Sequence, residues 1–311
     1  MKKLLTCITL LCLSFSLQAK EKLSLMLDWF VNPDHAAIIV AQQKGYFAEQ
    51  GLEVEIIEPA DPTMPPKLVA AGKVDLAVDY QPQLHMQLSE GLPLVRIGTL
   101  IATPLNSLVV LQSSGIKNIA DLKGKTIGYS VSGFEDSLLK MMLSSANLKA
   151  NNVKLVNVNW SLSPSLLSGQ VDAVIGAFRN FELNQLALEK HPGLAFYPEE
   201  YGVPSYDELI LVAAKKNLNK KKLNAFLNAL EKATIFSLNH PKEAWQSFVS
   251  YKPKELDNEL NRLAWKDTLP RLALRPRAVD EKRYTNMAKF LKQQNLIKNI
   301  FPVKDYAIEI N

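Results

Sequence analysis

Apolar and polar positions along the first two thirds of the chain predict strands that alternate with helices. Short runs of mostly apolar residues are each followed by a segment with the apolar period of a helix. The predicted strands lie at 23–27, 54–57, 74–78, 94–101, 107–111, 126–129, 153–158, 173–176, 194–197 and 208–214. The predicted helices lie at 35–44, 65–71, 82–90, 134–146 and 180–190, with a short helical turn at 119–124. This alternation is typical of mixed, mostly parallel sheets covered by helices, so we predict an α/β protein.

Two short segments resemble each other and predict that the α/β pattern occurs twice. Residues 70–78 read AAGKVDLAV, and residues 167–175 read LSGQVDAVI. Each combines the end of a helix, a Gly turn and a strand with Asp at its start. A single Gly stop would mean little, because Gly commonly ends helices. From Asn219 onward the chain is charged and helical, and we expect this C-terminal segment to embrace one lobe.

The first nineteen residues predict a signal peptide. Lys2 and Lys3 form a basic start, residues 4–17 are apolar, and Ala19 supplies the small residue that a cleavage site requires. The alternative is an N-terminal membrane anchor. No later apolar run approaches the roughly 20 residues that span a bilayer. We therefore expect a soluble, exported protein that is cleaved after Ala19 and works in the periplasm.

Composition and charge exclude several classes of function. Both cysteines, Cys7 and Cys12, lie in the predicted signal peptide. The mature chain would then have no disulfide, no cysteine zinc site and no thiol nucleophile. The formal net charge of +5 falls by two when Lys2 and Lys3 are removed. Such a small positive net charge argues against nucleic acid as a partner. The four histidines show no metal-ligand spacing, so we expect no metal and no cofactor.

The segment after the first predicted strand carries unusually varied chemistry. Residues 28–35, DWFVNPDH, contain an indole, an amide, two carboxylates and an imidazole. Trp29 could stack on a flat ligand or belong to the core. Asn32 could both donate to and accept from a heterocycle, or it could be a turn residue before Pro33. His35 stands at a helix start, where a lone histidine is usually structural.

Five stretches together resemble a known family, the substrate-binding proteins of ABC importers with a type II periplasmic-binding fold. They are DWxxN at 28–32, KGYFAEQGL at 44–52, DLKGK at 121–125, GQVDA at 169–173 and GVPSYDEL at 202–209. DWxxN and GVPSYDEL occur in fewer branches of this family than the other three motifs. They are similar to the branch that contains ThiY-type binders of pyrimidine precursors and the fungal thiamine-pyrimidine synthases.

The resemblance implies two α/β lobes that close on a ligand held between them. Two crossover strands would join the lobes near 103–107 and 204–211. Lobe 1 would comprise residues 20–105 and about 210–311, and lobe 2 would comprise about 106–209. We therefore expect a monomeric binding protein that is not an enzyme. It would deliver a pyrimidine of the formylaminopyrimidine type to ABC permease subunits in the inner membrane.

Three alternatives remain open at this point. The ligand could be another flat or anionic solute, such as riboflavin, a sulfonate or nitrate, and Arg179 is the candidate anion contact. The protein could be a pyrimidine synthase. In the synthases that this chain resembles, a histidine is consumed and a cysteine-rich iron site is present, which would give His35 a catalytic role. A sensor that serves a receptor is the third alternative.

Candidate ligand groups follow the predicted strands. Trp29, Tyr80 and Tyr206 would provide ring faces, and the amides of residues 130–133 would bind an oxygen atom at a helix N-terminus. Asn180 and Glu182 match polar positions of the pyrimidine binders. The full predicted set is Trp29, Asn32, His35, Tyr80, Gln81, Ser130, Ser132, Gly133, Asn180, Glu182, Tyr206 and Glu208.

Each of the later candidates also has a structural explanation. Tyr80 and Gln81 could be core or turn residues. Ser132 and Glu135 have the spacing of a capping box. Glu182 could be an acid favoured in the first turn of a helix. Glu208 lies inside an apolar strand and needs a partner, either the ligand or an arginine.

Overall fold

A computed structural model describes residues 20–216 and 218–310 of the chain. The predicted signal peptide, residues 1–19, lies outside the described residues. Within the described ranges, no helix is both long enough and apolar enough to cross a membrane.

Within the described residues, ten strands form two five-stranded sheets. The strands are β1 (Glu21–Met26), β2 (Leu52–Ile57), β3 (Leu76–Asp79), β4 (Leu94–Ile101), β5 (Asn106–Leu111), β6 (Thr126–Tyr129), β7 (Lys154–Asn157), β8 (Ala173–Phe178), β9 (Gly193–Phe196) and β10 (Leu209–Ala214). The first sheet has the order β2-β1-β3-β10-β4, and the second has the order β7-β6-β8-β5-β9. Parallel pairing joins β1 to β2 and β3, and β6 to β7 and β8. β10 and β5 are antiparallel to both of their neighbours.

Twelve α-helices cover these sheets in the described part of the chain. They are α1 (Ala36–Gln43), α2 (Tyr46–Glu49), α3 (Pro65–Ala70), α4 (Gln81–Ser89), α5 (Glu135–Ser145), α6 (Leu162–Leu167), α7 (Glu182–Leu188), α8 (Lys220–Asn239), α9 (Pro241–Ser250), α10 (Pro253–Leu256), α11 (Glu259–Thr268) and α12 (Glu281–Gln293). α8 packs on α1 and α2, and α12 packs on α4. α11 also contacts α7 beside the second sheet, so the C-terminal segment reaches beyond the single lobe that the sequence predicted.

The two sheets repeat one another, which confirms the repeat predicted from the sequence. In each sheet one strand, β10 or β5, runs antiparallel to both of its neighbours and directly follows a passage of the chain from the other sheet. Asp75 before β3 accepts a hydrogen bond from Ser24 N at 2.8 Å. Asp172 before β8 accepts one from Thr126 N, also at 2.8 Å. The paired Asp residues therefore fix the start of the central parallel strands in both sheets.

The chain passes between the sheets twice. It leaves the first sheet at Ile101 and enters the second at Asn106, and it returns between Phe196 and Leu209. Both passages overlap the predicted crossovers. The division into two lobes remains our prediction, and this topology gives its physical basis.

The turn between β1 and α1 is fixed by local sequence. The Oδ1 of Asn32 accepts a hydrogen bond from Asp34 N at 2.8 Å, and Pro33 begins a short 3₁₀ helix at Pro33–His35. α1 then follows directly, and Gly45 after it has a φ of 73°, which only glycine adopts at little cost. This turn places residues 28–35 at the carboxyl end of β1.

Candidate functional site

A cavity lies between the two sheets, beyond the carboxyl ends of β1, β3 and β8. Parallel sheets generally present ligand sites at this edge. Eleven residues line the cavity: Asp28, Trp29, Asn32, Asp34, Tyr80, Glu135, Leu162, Gly176, Phe178, Phe181 and Glu182. Aromatic rings and four carboxyl groups dominate this set. The cavity therefore combines faces for a flat ring with groups that bind N–H donors and ring nitrogens.

Asp28 is the centre of a buried hydrogen-bond network on the first-sheet side. Its Oδ1 lies 2.9 Å from His35 Nε2, and its Oδ2 accepts from the Tyr80 hydroxyl at 2.9 Å. His35 Nδ1 accepts from Asn32 N at 3.3 Å, which assigns the ring proton to Nε2. His35 is fully buried and does not line the cavity. Its role in this geometry is to position Asp28, not to contact a ligand.

Trp29 and Asn32 both line the cavity, as the sequence predicted. Trp29 is half-buried and meets Trp160 edge-on, with ring centroids 4.3 Å apart. Asn32 is also the turn residue of the alternative interpretation. Its Oδ1 caps the 3₁₀ helix, and its Nδ2 donates to Phe30 O at 3.2 Å. Trp29 is thus the more available of the two for a ligand.

Tyr80 lines the cavity, whereas Gln81 and Tyr206 lie behind it. The Tyr80 ring stacks on Phe134, with centroids 5.0 Å apart, and Phe134 in turn meets Tyr206 edge-on at 6.5 Å. Gln81 Oε1 accepts from Asp207 N at 2.8 Å and so holds the returning crossover. Neither Gln81 nor Tyr206 reaches the cavity, so their predicted ligand contacts are not supported.

Two amides of the predicted oxygen-binding turn at 130–133 already donate to carboxyl groups of the protein itself. Ser130 N donates to Glu135 Oε2 at 2.6 Å, and Gly133 N donates to Asp136 Oδ1 at 2.6 Å. Ser132 and Gly133 are exposed and line a separate groove beside α3 and α4. The capping box of Ser132 and Glu135 is also wrong, because α5 begins at Glu135 without a side-chain cap. These amides are therefore not free to bind a ligand oxygen.

Glu135 enters the cavity from the second-sheet side. It stands over Gly176, where a Cβ would lie 2.3 Å from the Glu135 carboxyl carbon. Gly176 also has a φ of 101°. Both this backbone conformation and the lack of space for a Cβ require glycine at the position. Burial raises the pKa of Glu135 to about 8, against the lowering effect of the Ser130 and Val131 amides. Glu135 can thus carry a proton at neutral pH and donate it to a ring nitrogen.

Glu182 and Asn180 follow β8 but face different surroundings. Glu182 lines the cavity, and its Oε2 accepts from Phe178 N at 2.6 Å. Burial raises the pKa of Glu182 to about 8, so its protonated form can also donate. Asn180 does not line the cavity. Its Nδ2 donates to Asp34 Oδ1 at 2.6 Å and to Thr268 Oγ1 at 2.8 Å, which places it in contact with a cavity residue instead of with a ligand.

Glu208 and Arg179 are structural groups of the crossovers. Glu208 Oε2 accepts from Leu105 N at 2.5 Å and from Asn106 N at 2.9 Å. The hydrogen bonds to this carboxyl thus come from backbone, and burial raises the pKa of Glu208 to about 7 against the lowering effect of these amides and of the nearby Arg179 charge. Arg179 pairs with Glu199 through both Nη atoms, at 2.6 and 3.0 Å. Since neither residue lines the cavity, Arg179 is no anion contact there.

Several residues that line the cavity were not among the ligand groups predicted from the sequence. These are Asp28, Asp34, Glu135, Leu162, Gly176, Phe178 and Phe181. A signal existed for some of them. Asp28 and Asp34 belong to the segment that was singled out after β1, Phe178 ends β8, and Phe181 follows that strand. Glu135 could not be found this way, because its approach to Gly176 is a contact between separate elements.

Residues 32–244 match the family described as NMT1/THI5 like. The chain belongs to this family. It is 69% identical over 292 residues to a Haemophilus influenzae protein with thiamine biosynthesis in its name, covering 94% of this chain and 93% of that protein. It is 37% identical over 229 residues to the formylaminopyrimidine-binding protein of Halalkalibacterium halodurans, covering 73% of this chain and 69% of that protein.

A relative with the name of an enzyme is less similar. The 4-amino-5-hydroxymethyl-2-methylpyrimidine phosphate synthase of Legionella pneumophila is 28% identical over 261 residues, with 81% of this chain and 80% of that protein covered. The family thus contains proteins named as binders and proteins named as synthases. In the described ranges, no group of three or more His, Cys, Asp or Glu side chains is arranged to hold a metal ion.

The fold is that of periplasmic solute-binding proteins. The alkanesulfonate-binding protein of Xanthomonas axonopodis pv. citri superposes with a TM-score of 0.72, covering 92% of this chain and 97% of that one at 15% identity. A Candida albicans protein with the generic periplasmic binding protein fold gives a TM-score of 0.68 and 16% identity, with 94% and 96% covered. The type II periplasmic-binding fold expected from the sequence is confirmed.

Proposed function

We propose that this protein is the exported solute-binding component of an ABC importer and binds a thiamine-related pyrimidine precursor of the formylaminopyrimidine type. The name of the 37% identical relative supports this ligand class. The observation that carries the proposal is the cavity lining, in which Trp29, Phe178 and Phe181 accompany four carboxyl groups. Rings of this kind stack on a flat heterocycle, and carboxyl groups bind its amine and ring nitrogens.

Charge favours this ligand over an anionic one. None of the eleven lining residues is Lys or Arg. The lining therefore offers no cationic side chain to a sulfonate or nitrate, and any of its carboxyl groups that is ionised would repel the anion, because burial strengthens repulsion between like charges. An aminopyrimidine is neutral or cationic and offers both donors and acceptors. Closure of the two lobes about the crossovers would then enclose the ring and present both lobes to a permease.

Calorimetric titration of the purified protein with formylaminopyrimidine tests the proposal. We expect saturable binding, and no binding of alkanesulfonate, nitrate or riboflavin. Trp29→Ala should weaken pyrimidine binding at least tenfold, since an aromatic contact contributes about 1 kcal/mol beyond the area it buries. Trp245→Ala is the matched control, because Trp245 packs on Trp265 away from the cavity. Binding of a sulfonate alone would contradict the proposal.

The synthase relatives define the second candidate function. The resemblance to the fungal synthases implies a histidine that is consumed, so a protein with this function would itself lose mass as product forms. Intact-mass spectrometry before and after incubation with an iron salt measures this directly. We expect an unchanged mass, because His35 is held by Asp28 and lies outside the cavity. Loss of mass at His35 would favour the synthase.

A further inference from the structure

Asp34 is a buried carboxyl group that is bonded through only one of its two oxygens. Its Oδ1 accepts hydrogen bonds from Asn180 Nδ2 at 2.6 Å and from Thr268 Oγ1 at 3.1 Å. Its Oδ2 is buried and accepts no hydrogen bond from the described residues. Asp34 itself lines the cavity. The unbonded oxygen thus belongs to a side chain that a bound ligand would contact.

The two donors to Oδ1 come from different parts of the molecule. Asp34 follows β1 of the first sheet, Asn180 follows β8 of the second sheet, and Thr268 ends α11 of the C-terminal segment. Asn180 Nδ2 also lies 2.8 Å from Thr268 Oγ1, which completes a triangle of hydrogen bonds. The bond from Asn180 to Asp34 spans the cleft between the sheets. It can exist only while the two sides of the cleft are close together.

The free oxygen suits the polar edge of an aminopyrimidine. An exocyclic amine donates hydrogen bonds, and the ring nitrogen beside it accepts one. Because Oδ1 already accepts two bonds, a proton on Asp34 would be carried by Oδ2. Burial raises the pKa of Asp34 to about 6, the effect of His35 opposing it. Oδ2 can therefore accept from the amine when Asp34 is ionised, or donate to the ring nitrogen when it is protonated.

We propose that Asp34 couples recognition of the ligand's amino-substituted edge to closure of the cleft. Oδ2 binds the ligand, and Oδ1 binds Asn180 from the opposite side. A ligand that fixes the position of Oδ2 also fixes the position of Oδ1, which accepts the hydrogen bond from Asn180. The Asp34 side chain would therefore determine both ligand specificity and closure of the cleft. This inference rests on the proposed function for its ligand and extends it to a specificity-determining residue and to the contact that closes the cleft.

The substitution Asp34→Asn separates the two roles. The new amide oxygen can still accept from Asn180 and Thr268, while the amide NH₂ replaces Oδ2 and meets the ligand's own N–H groups. Affinity would be measured for the aminopyrimidine and for an analogue with hydrogen in place of the amine. We expect about a 10- to 100-fold loss for the aminopyrimidine and a much smaller loss for the analogue. Asp61→Asn, in an exposed turn, is the matched control.

The substitution Asn180→Ala removes the closing bond and leaves Oδ2 in place. We expect weaker binding of both ligands by a similar factor, with the preference for the amine retained. Small-angle scattering should show a smaller compaction on ligand addition than in the wild-type protein. Asn151→Ala is the control, since Asn151 is exposed and does not line the cavity. Thermal unfolding of each variant checks that it is folded.

The outcomes separate this inference from the function on which it rests. If the wild-type protein binds neither pyrimidine, the proposed function fails. If the wild-type protein prefers the aminopyrimidine and folded Asp34→Asn keeps that preference, the inference fails and the proposed function stands. Full compaction of Asn180→Ala on ligand addition would overturn the closing role of the Asn180 bond. Loss of preference in Asp34→Asn together with reduced compaction in Asn180→Ala would establish the coupling.

Discussion

Two turns occupy equivalent places in the two sheets and behave differently. β1 and β6 both lie second from an edge in sheets of the same order. The turn after β1 directs Asp28, Trp29 and Asn32 to the cavity. The turn after β6, residues 130–134, has amides that bind its own Glu135 and Asp136. Within residues 130–145, which hold this turn and the helix that follows it, Glu135 is the one residue that lines the cavity.

Nearby side chains bind backbone amides in both turns, so the difference lies in whether the side chains of the turn itself line the cavity. Both turns are rich in polar groups, and both precede helices. After β1 the polar side chains bond to one another and still line the cavity. After β6 the acids of the first helical turn satisfy the amides and remove them from use. The predictions below test this contrast, from the largest expected effect to the smallest.

Gly176→Ala should have the largest effect, because it removes the space that Glu135 occupies. The added Cβ would meet the Glu135 carboxyl group, and φ at this position is positive. We expect a loss of about 2 to 5 kcal/mol in the free energy of unfolding, together with weaker ligand binding. Chemical denaturation and calorimetric titration measure the two effects.

Gly169→Ala serves as the control for backbone strain. Gly169 also has a positive φ of 74°, but its added Cβ meets nothing within 4 Å. It should lose only about 1 to 2 kcal/mol and bind ligand normally. If Gly176→Ala and Gly169→Ala lose the same unfolding free energy, the position of Glu135 does not depend on the space above Gly176.

His35→Leu should have the next largest effect, since it tests the network behind the turn after β1. The substitution leaves Asp28 with Tyr80 as its remaining donor and with one buried oxygen unpaired. We expect a loss of about 1 to 3 kcal/mol in unfolding free energy and weaker binding through a displaced Asp28. His191→Leu, at an exposed position, should change neither quantity. Normal binding by His35→Leu would remove the positioning role.

The ligand-free protein should become less stable as the pH rises from about 6.5 to 8. Burial raises the pKa of Glu135, Glu182 and Asp79 to about 8, so the folded protein retains protons that the unfolded chain has released. Stability therefore falls with pH in this window, by about 1 kcal/mol per pH unit for each group that keeps its proton in the folded protein. His85, with a pKa lowered to about 3, has its opposing effect only below its ordinary value near 6.5.

Thermal unfolding at several pH values measures this slope. Glu135→Gln and Glu182→Gln should each make it shallower, because each removes one of the retained protons. Ligand binding in the wild-type protein should also make it shallower if the ligand pairs with these acids. A stability that rises from pH 6.5 to 8 would contradict the burial of neutral carboxyl groups.

Ser132→Ala should have the smallest effect. Ser132 is exposed, faces away from the cavity and caps no helix. Affinity should stay within twofold, and the free energy of unfolding should change by less than about 0.5 kcal/mol. A tenfold loss of affinity would restore the turn after β6 as part of the ligand site.

Local patterns predicted the strands and most helices because their causes are local. Asn32, Pro33 and Gly45 determine the start and end of the helical segment between β1 and β2, and the sequence shows all three. The segment nevertheless begins as a 3₁₀ turn at Pro33 and becomes α-helical only at Ala36. The Asp that starts a central strand was visible at both Asp75 and Asp172. The hydrogen bonds of these two Asp residues to the neighbouring strand could be seen only in the folded structure.

The sequence alone determined the α/β class, the two repeated halves, the family and the importance of the segment after β1. Apolar periodicity and short motifs encode these features within a few residues of one another. Only the tertiary structure decided which polar groups face the cavity. It placed Glu208 on the crossover backbone, His35 behind Asp28, and Asp34 between the two sides of the cleft. These assignments depend on which buried donors and acceptors satisfy each other, and those partners are distant in sequence.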